Sequence, residues 1–163
     1  MRAADATVKR APVRLRRMGS VQPGKYLIFL QGGVDEVGEA LKAGAEVAAE
    51  TLIDHLFLPL PHADLTAVLD SHRSPELRSL GILEAYSVAG ILRGADAALK
   101  HAQVDSISLR LADGLGGKAV FVLTGEQHDV EEALMAGSAA IGAGLLAGCE
   151  LIARPHPDFL AAL

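Results

Sequence analysis

R-G-A-D-A-A-L-K-H-A (93–102) occurs twice in this chain: residues 2–11 read R-A-A-D-A-T-V-K-R-A, identical at six of ten positions at an offset of 91. The match resumes downstream. L-I-F-L-Q-G-G (27–33) aligns with V-F-V-L-T-G-E (120–126), E-A-L-K-A-G (39–44) with E-A-L-M-A-G (132–137), and L-P-H (60–62) with R-P-H (154–156). The offset drifts only from 91 to 93 to 94, so the copies differ by a few loop residues. A repeat sets what counts as one unit, and so comes before any reading of the fold. The second copy carries L-G-I-L-E-A-Y-S-V-A-G-I (80–91) ahead of the match; the first has no counterpart to it, because Met1 aligns with Leu92.

The complete copy sets the element order. Gly81–Tyr86 suits a strand, and Ser87 is placed to cap a helix running to about Ala102 with Val88, Leu92, Ala95 and Leu99 on one face. Asp105–Leu111 alternates strictly at Ile107, Leu109 and Leu111, the pattern of a half-buried strand. A Gly-rich turn (113–117) and a second strand, Lys118–Leu123, follow. Asp129–Leu146 places Val130, Leu134, Gly137, Ile141 and Leu145 at helical spacing. Glu150–Ala153 reads as a last strand and Pro157–Leu163 as a final helical turn. Strand–helix–strand–strand–helix–strand is the split βαβ, ferredoxin-like arrangement of the α/β (α+β) class. The first copy repeats it from the first helix onward: helix Arg2–Ala11, strands Val13–Met18 and Lys25–Gln31, helix Val34–Thr51, strand His55–Leu58. The domains are therefore expected at 1–70 and 80–163, joined by a polar linker at 71–79. In a ferredoxin-like sheet the first strand is central, so the first unit is expected to receive one, from residues upstream of Met1 or from another segment, and otherwise to be the weaker half.

Composition narrows the function. The chain has 163 residues, is 50% hydrophobic and carries a net charge of −5; aromatics are 4% and Trp is absent. That balance gives no stacking platform and no basic surface for nucleic acid. One Cys excludes an intrachain disulfide and fits a reducing compartment. Six basic residues within 1–17 (Arg2, Lys9, Arg10, Arg14, Arg16, Arg17) imitate a targeting segment, but the same stretch recurs at 93–110, where no presequence can lie. Ala136–Ala153 holds a single charge, yet Gly and Ala dominate it and a buried helix running into a strand is expected rather than a membrane span. A soluble, cytoplasmic protein without membrane association follows.

Motifs that would carry chemistry fail on context. Gly142-Ala-Gly144-Leu-Leu-Ala147 matches G-x-G-x-x-A, but it falls late in a predicted helix, whereas a dinucleotide loop follows a strand and opens a helix; small residues for close helix packing are the better account. D-G-L-G-G-K-A (113–119) lacks the G-x-x-x-x-G-K spacing, and Ala119 stands where Ser or Thr would be needed. The first copy has S-V-Q-P-G-K (20–25), sharing only Gly-Lys. The six His (55, 62, 72, 101, 128, 156) show no ligand spacing, so no metal site is expected, and Cys149 reads as a small buried hydrophobe. His62 and His156 are equivalent in the repeat and both follow Pro, which suggests a shared structural or interface role. Asp5, Asp96, Glu126 and Glu132 read as acids without partners, and no nucleophile–base pair emerges. No cofactor and no catalytic residue is expected.

The string A-A-D-A-x-x-K-x-A, a strand pair broken by a Gly-containing loop, the strand ending in T-G-E, the helix with A-G-x-A-A and the closing I-A-R-P-H together resemble the bacterial microcompartment (BMC) shell-protein domain. Two tandem copies are similar to its trimer-forming class, in which three chains make a pseudohexameric tile. The resemblance implies a homotrimer that tiles with other shell proteins and carries a central pore for small metabolites. It places the pore loops at Ser20, Val21, Gln22, Pro23 and Gly24 and at Asp113, Gly114, Leu115, Gly116 and Gly117. It places tile edges at Lys9, Lys100, Arg154 and His156, with His62 as the first-copy equivalent; Leu60 replaces the Arg there. Some tandem members hold an iron–sulfur cluster through a Cys in that loop, and neither loop here has one, so the resemblance argues against a cluster. The alternative is a ferredoxin-like small-molecule sensor or enzyme with a ligand site at an inter-domain or trimer cleft.

Overall fold

Asp5 and Lys9 sit one helical turn apart near the two ends of α1 (Arg2–Arg10), each on the side the helix dipole favours. The computed structural model describes residues 1–70 and 75–160, and packing divides the chain after Pro59 into two compact units, Met1–Pro59 and Leu60–Leu163. In the first unit α1 turns Ala4 and Thr7 inward. β1 (Arg14–Val21) and β2 (Lys25–Gln31) form an antiparallel hairpin from Arg14↔Gln31 to Val21↔Lys25, with a bulge between Leu15 and Arg17. α2 (Val34–Ala48) crosses α1 at Gly44, where a Cβ would meet the Thr7 methyl at 2.6 Å. Arg10 Nη2 donates to Glu39 Oε2 at 2.6 Å across the same pair of helices. This bond, with that from Lys42, holds the Glu39 carboxyl below its ordinary range, and it holds the Arg10 guanidinium above its own.

A 3-10 turn, Ala49–Thr51, ends the helix that was expected to reach Thr51 as regular α-helix. The strand expected at His55–Leu58 does not form. Its counterpart in the second unit pairs with one neighbour only, the unit's first strand, and among the described residues no strand precedes α1. A strand without a partner leaves its backbone to water, and the segment stays irregular.

The second unit opens with α3 (Ala63–Asp70), which the repeat counts with the first copy but which packs against the strands and helices that follow. Of the expected linker, residues 71–74 (with His72) lie outside the described residues, as do 161–163 of the final helical turn. β3 (Ser79–Ala85), α4 (Val88–His101), β4 (Val104–Leu111), β5 (Ala119–Gly125), α5 (Gln127–Ile141), β6 (Leu146–Ile152) and α6 (Pro157–Leu160) complete it. The sheet order is β4-β5-β3-β6, every pairing antiparallel. This is the ferredoxin-like order expected from the sequence, with β3 central. Ser87 Oγ accepts the Gly90 amide at 2.8 Å, the expected N-cap. Alternate residues of β5 (Ala119, Phe121, Leu123) and Leu83 of β3 are fully buried, with Ile91 of α4 and Val130 of α5. Burial of a large apolar side chain of this kind stabilises by about 1.5–3 kcal/mol.

Two boundaries differ from expectation for one reason. Gly142, at φ +86°, ends α5 in a conformation only glycine adopts readily, so the chain turns there and Leu146 already begins β6. The G-x-G-x-x-A string therefore lies between a helix and a strand, neither late in a helix nor in the order a dinucleotide loop requires. The glycines that bring helices together are others. A Cβ at Gly94 would lie 2.9 Å from the Gly137 carbonyl oxygen, and one at Gly137 3.0 Å from that of Gly94, so α4 and α5 touch backbone to backbone. No described helix is long and apolar enough to cross a membrane.

Candidate functional site

The β1–β2 and β4–β5 hairpins occupy the same place in the repeat and end in loops of different construction. The first is short: Ser20 and Val21, expected in the loop, remain paired in β1 with Tyr26 and Lys25. The turn proper is Gln22, Pro23 and Gly24, with a cis Gln22–Pro23 bond and the Gly24 amide donating to the Val21 carbonyl at 3.1 Å. The second spans Ala112–Lys118 and is laced by its own backbone. The Ala112 amide reaches the Lys118 carbonyl at 3.1 Å, the Leu115 amide the Ala112 carbonyl at 3.3 Å, and the Lys118 amide the Leu115 carbonyl at 3.1 Å. Ala112, Gly114, Gly116 and Gly117 all have positive φ. At Gly114 and Gly116 a Cβ would meet nothing within 4 Å, so glycine is there for its conformation and not for space. Asp113 and Gly116 are exposed, Leu115 is half-buried and Gly117 is buried.

Behind that loop, Lys118 Nζ lies 3.3 Å from Glu84 Oε1 and 5.7 Å from the Tyr86 ring centroid. The sequence reading missed this group. Its signal was the Gly-Lys shared by both loops, which fixes where the lysine stands but not that Glu84 of β3 and Tyr86 just beyond it are its partners.

The residues expected at tile edges fall into two sets. Lys9 is exposed and donates to Asp5 at 2.6 Å. Lys100 is half-exposed and engaged: it donates to Asp96 Oδ2 at 2.5 Å and to the Leu60 carbonyl at 2.7 Å. Asp96 is buried, and its other oxygen accepts the His62 amide at 2.7 Å. The Asp96–Lys100 pair thus clasps Leu60–His62. His62 and His156 share one role: the Nδ1 of each accepts the amide two residues on, Asp64 and Asp158, at 3.2 Å, opening α3 and α6. Arg154 and His156 are both exposed, just beyond β6.

The acids read as unpartnered are paired: Asp5 with Lys9, Asp96 with Lys100, Glu126 with Arg78 at 2.8 Å, and Glu132 with His101 at 3.4 Å. For the first two the i, i+4 spacing inside D-A-x-x-K was the available signal. Cys149, expected buried, is exposed, because β6 is an outer strand left partly open along its length. Among the described residues no three His, Cys, Asp or Glu side chains come together to hold a metal.

A split βαβ unit complete in the second copy and repeated in the first as helix–strand–strand–helix, with differing hairpin loops and a Pro-His segment following each, defines a tandem-domain protein. The chain belongs to the BMC-domain family of bacterial microcompartment shell proteins: the family's BMC domain model matches residues 1–61 and again 79–155. It is 37% identical over 158 residues to the bacterial microcompartment shell protein PduT of Citrobacter freundii, covering 96% of this chain and 86% of that one. It is 28% identical over 174 residues to the carboxysome assembly protein CcmO of Synechococcus elongatus, covering 98% of this chain and 62% of that one. Among solved structures, a microcompartment protein of Desulfitobacterium hafniense superposes with a TM-score of 0.84 at 35% identity, over 99% of this chain and 91% of that one. The fused permuted hexameric shell protein of the RMM microcompartment matches at TM-score 0.63 and 17% identity, over 85% and 73% of the two chains, a likeness of fold.

Proposed function

We propose that three copies of this chain close into a pseudohexameric tile of a microcompartment shell, and that the hairpin loops of the two units alternate around a central opening for small metabolites. The observation that carries this reading is the shared hairpin position with divergent loops: a three-residue turn at Gln22–Gly24 and a seven-residue loop at Ala112–Lys118. Fusing two domains in one chain lets equivalent loops differ, and a ring of identical single domains does not have that freedom. In the trimer the 112–118 loops bring three Asp113 carboxylates around the axis. Like charges in a narrow, partly dry aperture act together, favouring cations and opposing anions. The work is steric and electrostatic, with no bond made or broken and no cofactor. The rim offers Lys9, Lys100, Arg154, His156 and His62 to neighbouring tiles and to other shell proteins.

Imaging the purified protein by negative stain at low salt is the direct test, with extended sheets or tubes built from trimers expected. Arg154→Ala should leave trimers and reduce sheet growth. Asp113→Lys should invert charge selectivity across a reconstituted tile and leave the trimer intact. A finite oligomer that never grows, with melting raised by a small-molecule ligand, would favour a sensor and refute the tile.

A further inference from the structure

The chain contains two closing segments of one design. Leu60–His62 and Arg154–His156 are equivalent in the repeat, and so are the helices they open. Both are folded alike. Each His accepts the amide two residues on at 3.2 Å through Nδ1. Each His carbonyl accepts the amide three residues on, from Leu65 at 3.1 Å and from Phe159 at 3.0 Å. One segment is seated: the His62 amide and Leu60 carbonyl bond Asp96 and Lys100, and Leu65 is 1% exposed. The other is not. No described residue bonds the His156 amide or the Arg154 carbonyl, and Phe159, the counterpart of Leu65, is 45% exposed.

The clasp is duplicated as well. Asp96 and Lys100 of α4 correspond to Asp5 and Lys9 of α1. The Asp96 side chain is 8% exposed and holds a backbone amide; the Asp5 side chain is 60% exposed and among the described residues bonds only Lys9. The surroundings differ in the same sense. α4 is buried around most of its circumference, α1 only at Ala4 and Thr7. Leu99 of α4 is 4% exposed and its equivalent Val8 of α1 is 40%.

One chain therefore has a seated segment on one clasp, and a second segment and a second clasp for which no such bond is made among the described residues. We propose that Asp5 and Lys9 are the docking site for the closing segment of a second copy of this chain. His156 of the partner subunit donates its amide to Asp5, Lys9 donates to the carbonyl of Arg154 of the partner subunit, and Phe159 of the partner subunit covers the face holding Val8. Clasp and segment are different surfaces, so the contact is heterologous and runs head to tail, which closes into a ring when the rotation permits. The proposal rests on the trimeric tile and states what joins its chains: three contacts between chains copy the three already made within them. Lys9 keeps its place at the rim, since an ammonium has three protons and two are used here.

The test uses two exposed positions, chosen so that each variant keeps its fold, with far-UV circular dichroism as the check. Asp5→Asn alters the clasp and Phe159→Asp the segment, and oligomeric state is read by light scattering over a dilution series. Each variant should raise the concentration at which trimers dissociate about tenfold or more, the loss of a charge-assisted hydrogen bond or of a desolvated anchor. The double variant should add little, because both changes break one contact. Trimers as robust as wild type in both variants would overturn the docking and leave the tile standing. A wild-type chain that never forms trimers would overturn both.

Discussion

Gly137→Ala tests the backbone-to-backbone approach of α4 and α5. The added methyl would lie 2.6 Å from Leu83 Cδ1 and 3.0 Å from the Gly94 carbonyl oxygen. Leu83 is fully buried and has no space to swing into, and the carbonyl belongs to helix backbone. Relief therefore means moving α5 away from α4 by several tenths of an ångström along their shared face. Overpacking of this kind costs about 1–3 kcal/mol. Ala in place of Gly in a helix returns about 0.5–1 kcal/mol. The net expectation is about 0–2.5 kcal/mol of destabilisation, or up to roughly 10 °C in melting temperature for a chain of this size. Gly38→Ala in α2 is the control, since its Cβ would meet only Phe57 Cζ at 3.9 Å, an ordinary contact; that variant should be neutral or stabilised. Gly44→Ala lies between them. Its obstacle is the Thr7 methyl at 2.6 Å, and Thr7→Ala, which installs the residue the second copy has there (Ala98), should rescue it. Urea melts followed by circular dichroism read all of these. A Gly137→Ala protein as stable as the Gly38→Ala control would refute the backbone-to-backbone packing of α4 and α5.

Asp96→Asn should destabilise the chain by about 1.5–3 kcal/mol, the value of a hydrogen bond to a charged group, because one of its two contacts becomes donor against donor. Hydrogen exchange at the His62 amide should speed up with it, while protection in β5 stays unchanged. The Glu39 carboxyl, depressed by Arg10 and then Lys42, contributes stability above its ordinary value of 4.5 that is lost as pH falls through its lower folded value. An acid titration of unfolding should therefore show wild type losing an advantage over Glu39→Gln below about that pH, and a difference between the two that persists unchanged into acid would refute the assignment.

The second unit was legible because each of its elements announces itself locally. Ser87 marks a helix start, Ile107, Leu109 and Leu111 a strand, and the repeat fixes the order. Boundaries failed where one backbone angle decides, as at Gly142, since φ leaves no trace in hydrophobic periodicity. The strand expected at His55–Leu58 failed because strand formation is a property of a pair, and the sequence of one partner is silent about the other. The two hairpin turns fall at equivalent positions of the repeat, but Ser20 and Val21, expected in the first loop, are strand residues because pairing continues as far as the chain can still turn in three residues. The clasp was half-visible: D-A-x-x-K shows an ion pair at helical spacing, while the long-range bond from Asp96 to His62 spans 34 positions and has no local signature.

The equivalence of the copies also says what the first unit's sheet can accept. β5 lies between β4 and β3, whereas among the described residues β2 has only β1 beside it, and its remaining edge is a template for another strand. In the second unit that place is held by β3, and Gly81 is its tightest point: a Cβ there would lie 2.8 Å from Leu123 Cδ1 and 2.9 Å from Val130 Cγ1. The first-copy counterparts of those residues are Leu30 and Val37, so the obstacle is conserved between the copies even though the strand that meets it is not. A strand completing β2 in the manner of β3 must therefore bring glycine, or at most alanine with some give, to the point facing Leu30 and Val37. A β-branched residue there would push α2 off the sheet. That requirement is steric and local, so it holds whatever segment supplies the strand, and it makes L-G-I-L-E-A a better guide to what fits than β-propensity, which would have placed Val or Ile where only glycine has room.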